Sequence, residues 1–214
     1  MTPVDADYIA SLIKKGILQN PVLELGGGYG GDTMREQVLA AGMDYLATDM
    51  FAAPGIDFVA DFEKPETVTP LKQNGGFGTV LVLNVLEHTF EPIKILDNCL
   101  SLLKPGGNLV IITPTIWGIH NYPIDCYRLL PDWYVKYAET RNCILQEDTF
   151  EFVGFGKVGA YRKTSGEYSF PPPIPTDSSL YNYSRAIHKI FNTFGRGMNQ
   201  PSFVAIGVVM SVKS

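Results

Sequence analysis

Val22-Leu23-Glu24-Leu25-Gly26-Gly27-Gly28-Tyr29-Gly30-Gly31-Asp32-Thr33 is the stretch that decides the fold class. Its mostly apolar start predicts a buried strand, five of the six residues at 26–31 are glycine, and residues 32–39 predict the start of a helix. Glycine adopts the backbone angles of a tight turn and lets the main chain approach a ligand. The first N–H groups of the following helix would face the same ligand. This strand, turn and helix therefore predict a cofactor-binding site.

Two kinds of cofactor fit this turn. Gly26, Gly28 and Gly31 satisfy the dinucleotide pattern G-x-G-x-x-G, and Asp49 ends the next predicted strand at the spacing of a ribose contact. A nicotinamide dinucleotide is therefore one interpretation. A turn that binds no ligand is another, although so many glycines cost backbone entropy without adding packing.

The same run also reads as acid-x-Gly-x-Gly-x-Gly, on Glu24, Gly26, Gly28 and Gly30. This pattern resembles the first motif of the class I S-adenosylmethionine-dependent methyltransferases. The segment V-L-E-H at 85–88, with L-K-P-G-G at 103–107 before an apolar strand, resembles the branch that includes small-molecule O- and C-methylating enzymes. Together these motifs cover residues 20–115.

The resemblance implies an α/β fold with a Rossmann-like, doubly wound, seven-stranded and mostly parallel sheet, an antiparallel last strand and helices on both faces. It implies S-adenosyl-L-methionine as the cofactor, with Glu24 near its ammonium and Asp49 on its ribose hydroxyls. Asp61 would take the adenine amino group, beside Phe62 on the ring. Turn or capping roles are the alternatives for the two aspartates. The predicted cofactor-binding set is Glu24, Gly26, Gly27, Gly28, Gly30, Asp49, Met50, Asp61, Phe62 and Asn84.

Size and charge narrow the classes of function. The chain has 214 residues, of which 45% are hydrophobic. This length and composition suit a single domain over residues 1–214, and the chain is too short for two full domains. A net charge of −5 argues against a nucleic-acid partner. The 3 cysteines lack C-x-x-C spacing and indicate neither a disulfide framework nor a zinc site. The sequence shows neither the pattern of a signal peptide nor that of a membrane span. We therefore expect a cytoplasmic protein with no membrane partner.

The rest of the chain predicts alternating helices and strands. Residues 1–20 contain an amphipathic helix that we expect to cap a sheet edge. Strands are predicted at 45–49, 56–60, 77–83, 109–114, 144–155 and 203–210, and helices at 32–42, 89–99 and 131–138. Residues 156–201 form an insertion with adjacent prolines at 171–173 and an aromatic-rich helix at 181–194. This insertion is interpreted as a lid over the substrate or as a homodimer contact.

The segment 120–131 combines polar, aromatic and basic side chains at the edge where open α/β sheets bind ligands. Tyr122, Asp125 and Arg128 belong to a Y-P-x-D-x-x-R segment that resembles methyltransferases linked with sugar or polysaccharide pathways. We therefore predict that these three side chains bind the acceptor. The alternative is that Asp125 and Arg128 form an internal ion pair that only shapes the loop.

His88 and His120 are the predicted catalytic residues. Methyl transfer is an in-line displacement to which positioning contributes about 7–11 kcal/mol, while a base that takes a hydroxyl proton adds roughly 10²- to 10⁴-fold. Imidazole is neutral near pH 7, and both histidines follow predicted strands at the ligand edge. The alternative for His88 is a ring that bonds only to the main chain. No metal site is predicted.

These observations predict an S-adenosylmethionine-dependent methyltransferase that acts on a small molecule, at an oxygen of a sugar or related metabolite. A nicotinamide-dependent oxidoreductase is one alternative, although we locate no Tyr-Lys or similar acid pair for it. A binding protein that keeps the cofactor fold without turnover is the other.

Overall fold

A mixed sheet of nine strands organises the chain. The computed structural model describes residues 3–28, 33–115, 120, 123–153, 159–160, 162–164, 167–169 and 205–213. Within these ranges, none of the helices is long and apolar enough to cross a membrane.

Helices and strands alternate along most of the described chain. The helices are α1 (Pro3–Lys14), α2 (Arg35–Ala40), α3 (Pro65–Val68), α4 (Pro92–Leu102) and α5 (Pro131–Thr140). The strands are β1 (Val22–Leu25), β2 (Tyr45–Asp49), β3 (Phe58–Val59), β4 (Phe77–Leu83), β5 (Leu103–Pro114), β6 (Ile144–Leu145), β7 (Glu151–Val153), β8 (Gly159–Ala160), β9 (Arg162–Thr164), β10 (Glu167–Ser169) and β11 (Ala205–Ser211). Short 3₁₀ helices span Thr69–Asn74, Leu86–His88 and Glu147–Thr149.

The strand order of the main sheet is β3-β2-β1-β4-β5-β11-β7-β8, and β6 also pairs with β11. Strands β1 to β5 run parallel to one another, whereas β11 runs antiparallel to β5, β6 and β7. The predicted Rossmann-like, mostly parallel sheet with an antiparallel last strand is confirmed.

The predicted strand at 144–155 is divided into two, and together with the added strand β8 this raises the strand count of the main sheet from the predicted seven to nine. The 3₁₀ helix Glu147–Thr149 interrupts it, so that β6 and β7 pair separately with β11. Strand β8 then adds to β7, and β9 and β10 form a small separate antiparallel sheet inside the predicted insertion. The prolines at 171–173 and the helix predicted at 181–194 lie outside the described residues.

Alternating side chains of the central strands fill two cores, one on each face of the sheet. In β4, Val80 and Val82 pack in a core with residues of α3, α4 and α5, whereas Leu81 and Leu83 pack in a core with residues of α1 and α2. Successive side chains of a strand point to opposite faces, so both faces of a parallel sheet need apolar residues. Helices therefore cover both faces, as predicted.

Helix α1 covers a face of the sheet, and the expectation that it caps an edge is wrong. Ile9 and Leu12 are buried in the same core as residues of β4, β5 and β11. The Tyr8 ring lies over β11 where Gly207 leaves room, since a Cβ there would lie 2.6 Å from Tyr8 Cζ. The Tyr8 hydroxyl donates to the carbonyl of Thr149 at 2.7 Å. These contacts place α1 over the middle of the sheet.

The carboxyl ends of β1, β2, β3 and β4 meet at one edge of the sheet, because these strands are parallel. The chain passes from β1 outward through β2 and β3 and returns to β4 on the other side of β1. Open α/β sheets bind ligands at such a reversal of strand order. The predicted cofactor residues follow the strands on both sides of this point.

Candidate functional site

The glycine turn, by which we mean residues 26–28, follows β1 and lies against the segment that follows β4. Gly26 has a φ of 78°, a left-handed conformation that favours glycine. A Cβ on Gly26 would lie 2.7 Å from Cγ2 of Val85, which follows β4. The absence of a side chain therefore lets the turn lie directly against the segment that leads to His88.

Asp49 lies against the other side of the glycine turn. The Gly28 N–H donates to Asp49 Oδ2 at 3.0 Å, and the Phe51 N–H donates to Oδ1 at 3.0 Å. A Cβ on Gly28 would lie 2.9 Å from Asp49 Cγ. The carboxylate at the end of β2 thus lies at the turn, as predicted. Gly30 lies outside the described residues.

Glu24 lies beneath the turn and is 1% exposed. Its Oε2 accepts hydrogen bonds from the Met34 N–H at 2.9 Å and from the Tyr45 hydroxyl at 2.7 Å. Burial raises the pKa of this carboxyl to about 7, although both hydrogen bonds lower it. Glu24 therefore holds the start of α2 beside the turn, a role that the motif did not predict. Its approach to a ligand ammonium stays a prediction.

Asp61 and Phe62 follow β3 and differ in burial. Asp61 accepts from the Glu63 N–H at 3.0 Å and pairs with Lys64 Nζ at 2.8 Å. Burial raises the pKa of Asp61, but the hydrogen bonds from Lys64 and Glu63 outweigh it and lower that pKa. Phe62 is 6% exposed and packs in the core beside α4, so its ring is part of the protein interior. Its contact with an adenine ring stays a prediction, as does cofactor binding by Met50, which is 47% exposed.

Asn84 directly follows β4 and has a φ of 54°, a left-handed conformation that asparagine tolerates better than most residues. Its Nδ2 donates to Oδ2 of Asp5 at 3.1 Å. Asp5 belongs to α1 and is buried. Helix α1 thus reaches the ligand edge of the sheet, a contact that only the three-dimensional fold reveals.

These residues fit S-adenosyl-L-methionine. Side chains are absent at Gly26, Gly27 and Gly28 where Cβ atoms would lie 2.7 to 2.9 Å from neighbouring side chains, so the turn forms a close main-chain surface. Asp49 ends the strand next to that turn, where a carboxylate can accept two ribose hydroxyls. A ligand held here would lie beside the segment after β4.

A second group of side chains, the histidine cluster, comprises Glu87, His88, His120, Asp125 and Arg128. The rings of His88 and His120 meet edge to face with centroids 4.8 Å apart. His88 Nδ1 lies 2.6 Å from the carbonyl oxygen of Ile124. The structure thus brings both predicted catalytic residues together, although they are separated by a helix and a strand.

Asp125 and Arg128 form the internal ion pair that was the alternative to acceptor binding. The Asp125 side chain is 2% exposed, and Arg128 donates to both of its oxygens, with the Nη2 to Oδ2 distance at 2.8 Å. The main-chain N–H of His120 donates to the same Oδ2 at 2.9 Å. Contact of these side chains with an acceptor stays a prediction. Tyr122 lies outside the described residues.

Glu87 is a member of the cluster that sequence reasoning missed. It is 2% exposed, and its Oε2 has no hydrogen-bond partner among the described residues. Its Oε1 lies 3.6 Å from His88 Nε2. Burial raises the pKa of Glu87 to about 7. The signal was present in the sequence, since Glu87 directly precedes a candidate base in V-L-E-H.

Three side chains of the cluster are spaced so that, among the described residues, they could bind a metal ion. Ligand atoms of Glu87, His88 and His120 all lie within 4.8 Å of one another. His88 Nδ1 contacts a carbonyl and His120 Nδ1 lies 3.4 Å from Asp125 Oδ2, so each ring is oriented by an oxygen acceptor. Oriented imidazoles beside a carboxyl also suit acid–base chemistry, which needs no ion.

A family model described as a methyltransferase domain matches residues 6–151 of this chain. A curated relative, the ubiquinone biosynthesis O-methyltransferase of Xanthomonas campestris pv. campestris (strain B100), is 30% identical over 125 residues, which are 53% of this chain and 50% of the relative. The chain thus spans about half the length of the curated relatives that it matches.

Solved structures agree in fold. A SAM-dependent methyltransferase from Archaeoglobus fulgidus has a TM-score of 0.53 at 14% identity, covering 96% of this chain and 94% of that chain. The 1,6-didemethyltoxoflavin-N1-methyltransferase of Burkholderia thailandensis, solved with 1,6-didemethyltoxoflavin and S-adenosylhomocysteine, has a TM-score of 0.58 at 14% identity, covering 99% and 79%. At this identity the likeness shows the fold alone.

The family model spans both the glycine turn and the histidine cluster. This chain belongs to the methyltransferase domain family, in agreement with the class I, S-adenosylmethionine-dependent methyltransferase predicted from its motifs.

Proposed function

We propose that this protein transfers a methyl group from S-adenosyl-L-methionine to a hydroxyl oxygen of a small molecule, with sugars and related metabolites as the first acceptor class. The observation that carries the proposal is the contact between Gly26 of the turn and Val85, only three residues before His88. It brings the predicted cofactor surface and a candidate base to neighbouring strands at one edge.

The mechanism follows from this arrangement. When bound, S-adenosyl-L-methionine supplies a methyl group on a positively charged sulfur. Asp49 would accept the ribose hydroxyls and the glycine turn would present main-chain groups to the cofactor, beside the segment after β4. A neutral imidazole of the histidine cluster then takes the proton of the acceptor hydroxyl, which adds roughly 10²- to 10⁴-fold to what positioning contributes.

An aromatic hydroxyl compound is a second candidate acceptor. Phe90 is 73% exposed, and its ring lies 6.5 Å from the ring of Tyr127. Ile124, whose carbonyl contacts His88, is also exposed. Apolar side chains beside the candidate bases would favour a flat, apolar acceptor.

The similarity to curated O-methyltransferases supports oxygen as the acceptor atom. The net charge of −5 supports a small molecule over a nucleic acid.

Calorimetric titration tests the cofactor first. The purified protein is titrated with S-adenosylmethionine, S-adenosylhomocysteine and NAD, and the titrations are repeated on Asp49→Ala and on Asp148→Ala, a control that removes an exposed carboxylate. We expect the first two ligands to bind and Asp49→Ala alone to weaken them. Binding of NAD alone would overturn the proposal in favour of an oxidoreductase.

An acceptor screen then tests the reaction. Sugar nucleotides and free sugars form one panel and phenolic compounds the other, with methyl transfer followed by mass spectrometry. Product in either panel supports the proposal and selects the acceptor class. Cofactor binding without a product in any panel would favour a binding protein that keeps the fold.

A further inference from the structure

Helix α1 reaches the ligand edge of the sheet through a buried carboxylate. Asp5 lies in the first turn of α1 and is 1% exposed. Its Oδ2 accepts a hydrogen bond from Asn84 Nδ2 at 3.1 Å. A carboxylate only accepts hydrogen bonds, so the Asn84 amide turns its nitrogen towards Asp5. The amide oxygen, Oδ1, therefore occupies the other corner of the amide, where it can accept a hydrogen bond.

The main chain of Asn84 is fixed as well. Its N–H donates to the carbonyl of Ile112 at 2.8 Å, which continues the pairing of β4 with β5. Its left-handed φ of 54° turns the chain directly after β4, and the next residue, Val85, lies against Gly26 of the glycine turn. Asn84 is thus held beside the predicted cofactor surface by both its main chain and its amide nitrogen.

Glu24, the residue that the motif assigns to the cofactor ammonium, is less well suited to that contact. It is 1% exposed, and its Oε2 already accepts from the Met34 N–H and the Tyr45 hydroxyl. Burial raises the pKa of Glu24 to about 7, so this group carries only part of a negative charge near neutral pH. An ammonium group donates hydrogen bonds and is stabilised by a nearby negative charge.

Asp5 and Asn84 together offer both requirements at the end of β4. Asn84 supplies a neutral acceptor oxygen. The charge of Asp5 acts at this edge, because it adds to the effect of burial in raising the pKa of Glu87, which also follows β4. A buried charge is screened less by salt than an exposed one, so it acts over a longer distance.

We infer that Asn84 Oδ1 accepts a hydrogen bond from the amino group in the methionine part of the cofactor, and that Asp5 is the positioning residue that orients the Asn84 amide for this contact. The inference rests on the proposed function. It makes α1 a part of the cofactor site, in addition to its role in covering a face of the sheet.

Two ligands test the inference by calorimetry without an acceptor or turnover. One is S-adenosylhomocysteine, and the other is its analogue in which hydrogen replaces the amino group. The ratio of their affinities measures recognition of that amino group alone. We expect the wild type to prefer S-adenosylhomocysteine by about 10- to 100-fold, the usual range for a hydrogen bond to a charged group.

Asp5→Asn should remove most of this preference. An asparagine side chain donates as well as accepts, so the Asn84 amide could then bond to it in either orientation. Asp7→Asn is the matched control, because it removes an exposed carboxylate from the same helix, and it should keep the preference. Both ligands are titrated into the same sample, so partial unfolding of a variant lowers the number of sites and leaves the ratio unchanged.

An exchange of the two residues separates positioning from a general structural role. Asp5→Asn combined with Asn84→Asp restores the hydrogen bond with donor and acceptor exchanged, and an oxygen at position 84 can still accept. This double variant should regain most of the preference that Asp5→Asn loses. Asn84→Asp alone places two carboxyl groups side by side and should not increase the preference. If adding Asn84→Asp changes the ratio equally in both backgrounds, the two residues act independently and the inference is wrong.

Glu24→Gln tests the competing assignment. We expect this variant to keep most of the preference for S-adenosylhomocysteine. Loss of the preference in Glu24→Gln but not in Asp5→Asn would return the ammonium to Glu24 and overturn the inference, as would a wild type that binds both ligands equally well. A wild type that binds neither ligand would contradict the proposed function itself, so the two failures are distinguishable.

Discussion

The glycine turn and the histidine cluster lie on neighbouring strands but are constructed differently. The turn is shaped by missing side chains, since Cβ atoms at 26–28 would lie within 2.9 Å of neighbouring atoms. The cluster is shaped by charged side chains from the segment after β4 and from the segment after β5. The first region is therefore fixed by main-chain geometry, and the second by a balance of charge and burial.

One buried glutamate in each region allows the two regions to be compared by exposure, pKa and hydrogen bonding. Glu24 below the turn and Glu87 in the cluster are 1% and 2% exposed, and burial raises the pKa of each to about 7. Glu24 accepts from the Met34 N–H and the Tyr45 hydroxyl, whereas Glu87 Oε2 has no hydrogen-bond partner within the described part of the chain. The two glutamates are thus equally buried but differ in their hydrogen bonds. Mutation of each can therefore separate the effect of burial from the effect of hydrogen bonding.

We expect the largest effect from Glu24→Ala. The substitution leaves the buried N–H of Met34 and the partly buried hydroxyl of Tyr45 without this acceptor and should lower the free energy of unfolding by about 3–5 kcal/mol. Urea unfolding followed by circular dichroism measures this change. Glu87→Ala is the matched control, because it removes the same atoms from an equally buried position. Losses of similar size in the two variants would show that the hydrogen bonds of Glu24 do not distinguish the regions.

A smaller effect is expected from Gly28→Ala. The added Cβ would lie 2.9 Å from Asp49 Cγ, so the carboxylate must move away from the turn. We expect the affinity for S-adenosylmethionine to fall by about 100-fold through lost charge-assisted hydrogen bonds, with calorimetry as the measurement.

The control for Gly28→Ala is Gly27→Ala combined with Thr33→Ser. A Cβ on Gly27 would lie 2.8 Å from Thr33 Cγ2, an atom that serine lacks. This double variant adds a methyl group to the turn without displacing Asp49 and should bind nearly as well as the wild type. If it binds as weakly as Gly28→Ala, the turn itself and not the Asp49 carboxylate sets the affinity.

Glu87→Gln should change how stability depends on pH. Burial raises the pKa of Glu87 from 4.5 to about 7, so between these values the folded state binds more protons than the unfolded state. Wild-type stability from this group is therefore complete below pH 4.5 and is lost as the pH rises through about 7. Glutamine does not ionise, so the variant should gain on the order of 2 kcal/mol relative to wild type between pH 5 and pH 8.

Urea unfolding of both proteins at the two pH values measures this gain. Glu139→Gln, at an exposed carboxylate on α5, should show no such trend. A constant difference between Glu87→Gln and wild type across this range would show that Glu87 is already ionised in the folded protein.

Sequence reasoning worked best where one short segment contains all the information. The turn after β1, the acidic end of β2 and the mostly parallel sheet were predicted because apolar runs and glycines report local conformation directly. The division of the strand at 144–155 was missed because its alternation continues through the 3₁₀ helix Glu147–Thr149. The placement of α1 on a face was missed because an amphipathic helix does not say which surface it covers.

The histidine cluster was predicted as separate residues and not as a unit. His88, His120, Asp125 and Arg128 were each identified, and an Asp125–Arg128 ion pair was one alternative. The contacts of His120 with His88 and with Asp125 depend on the three-dimensional arrangement of the loops, which no local pattern encodes. Glu87 was overlooked because a glutamate at the start of a helical turn is ordinarily exposed, whereas here it is buried. Long-range packing, therefore, decides which of two plausible roles such residues have.

Removal of metal ions should have the smallest effect. Glu87, His88 and His120 lie close enough together to share a cation, but a base in this cluster requires the lone pair of an imidazole nitrogen, which a bound cation would occupy. Dialysis against EDTA should therefore leave methyl transfer unchanged, and added Zn²⁺ should inhibit by competing with the proton for that nitrogen. Loss of activity on dialysis, with recovery on adding Zn²⁺ but not in His120→Asn, would make the cluster a metal centre. The histidine cluster would then need a metal ion for activity, whereas the glycine turn would not.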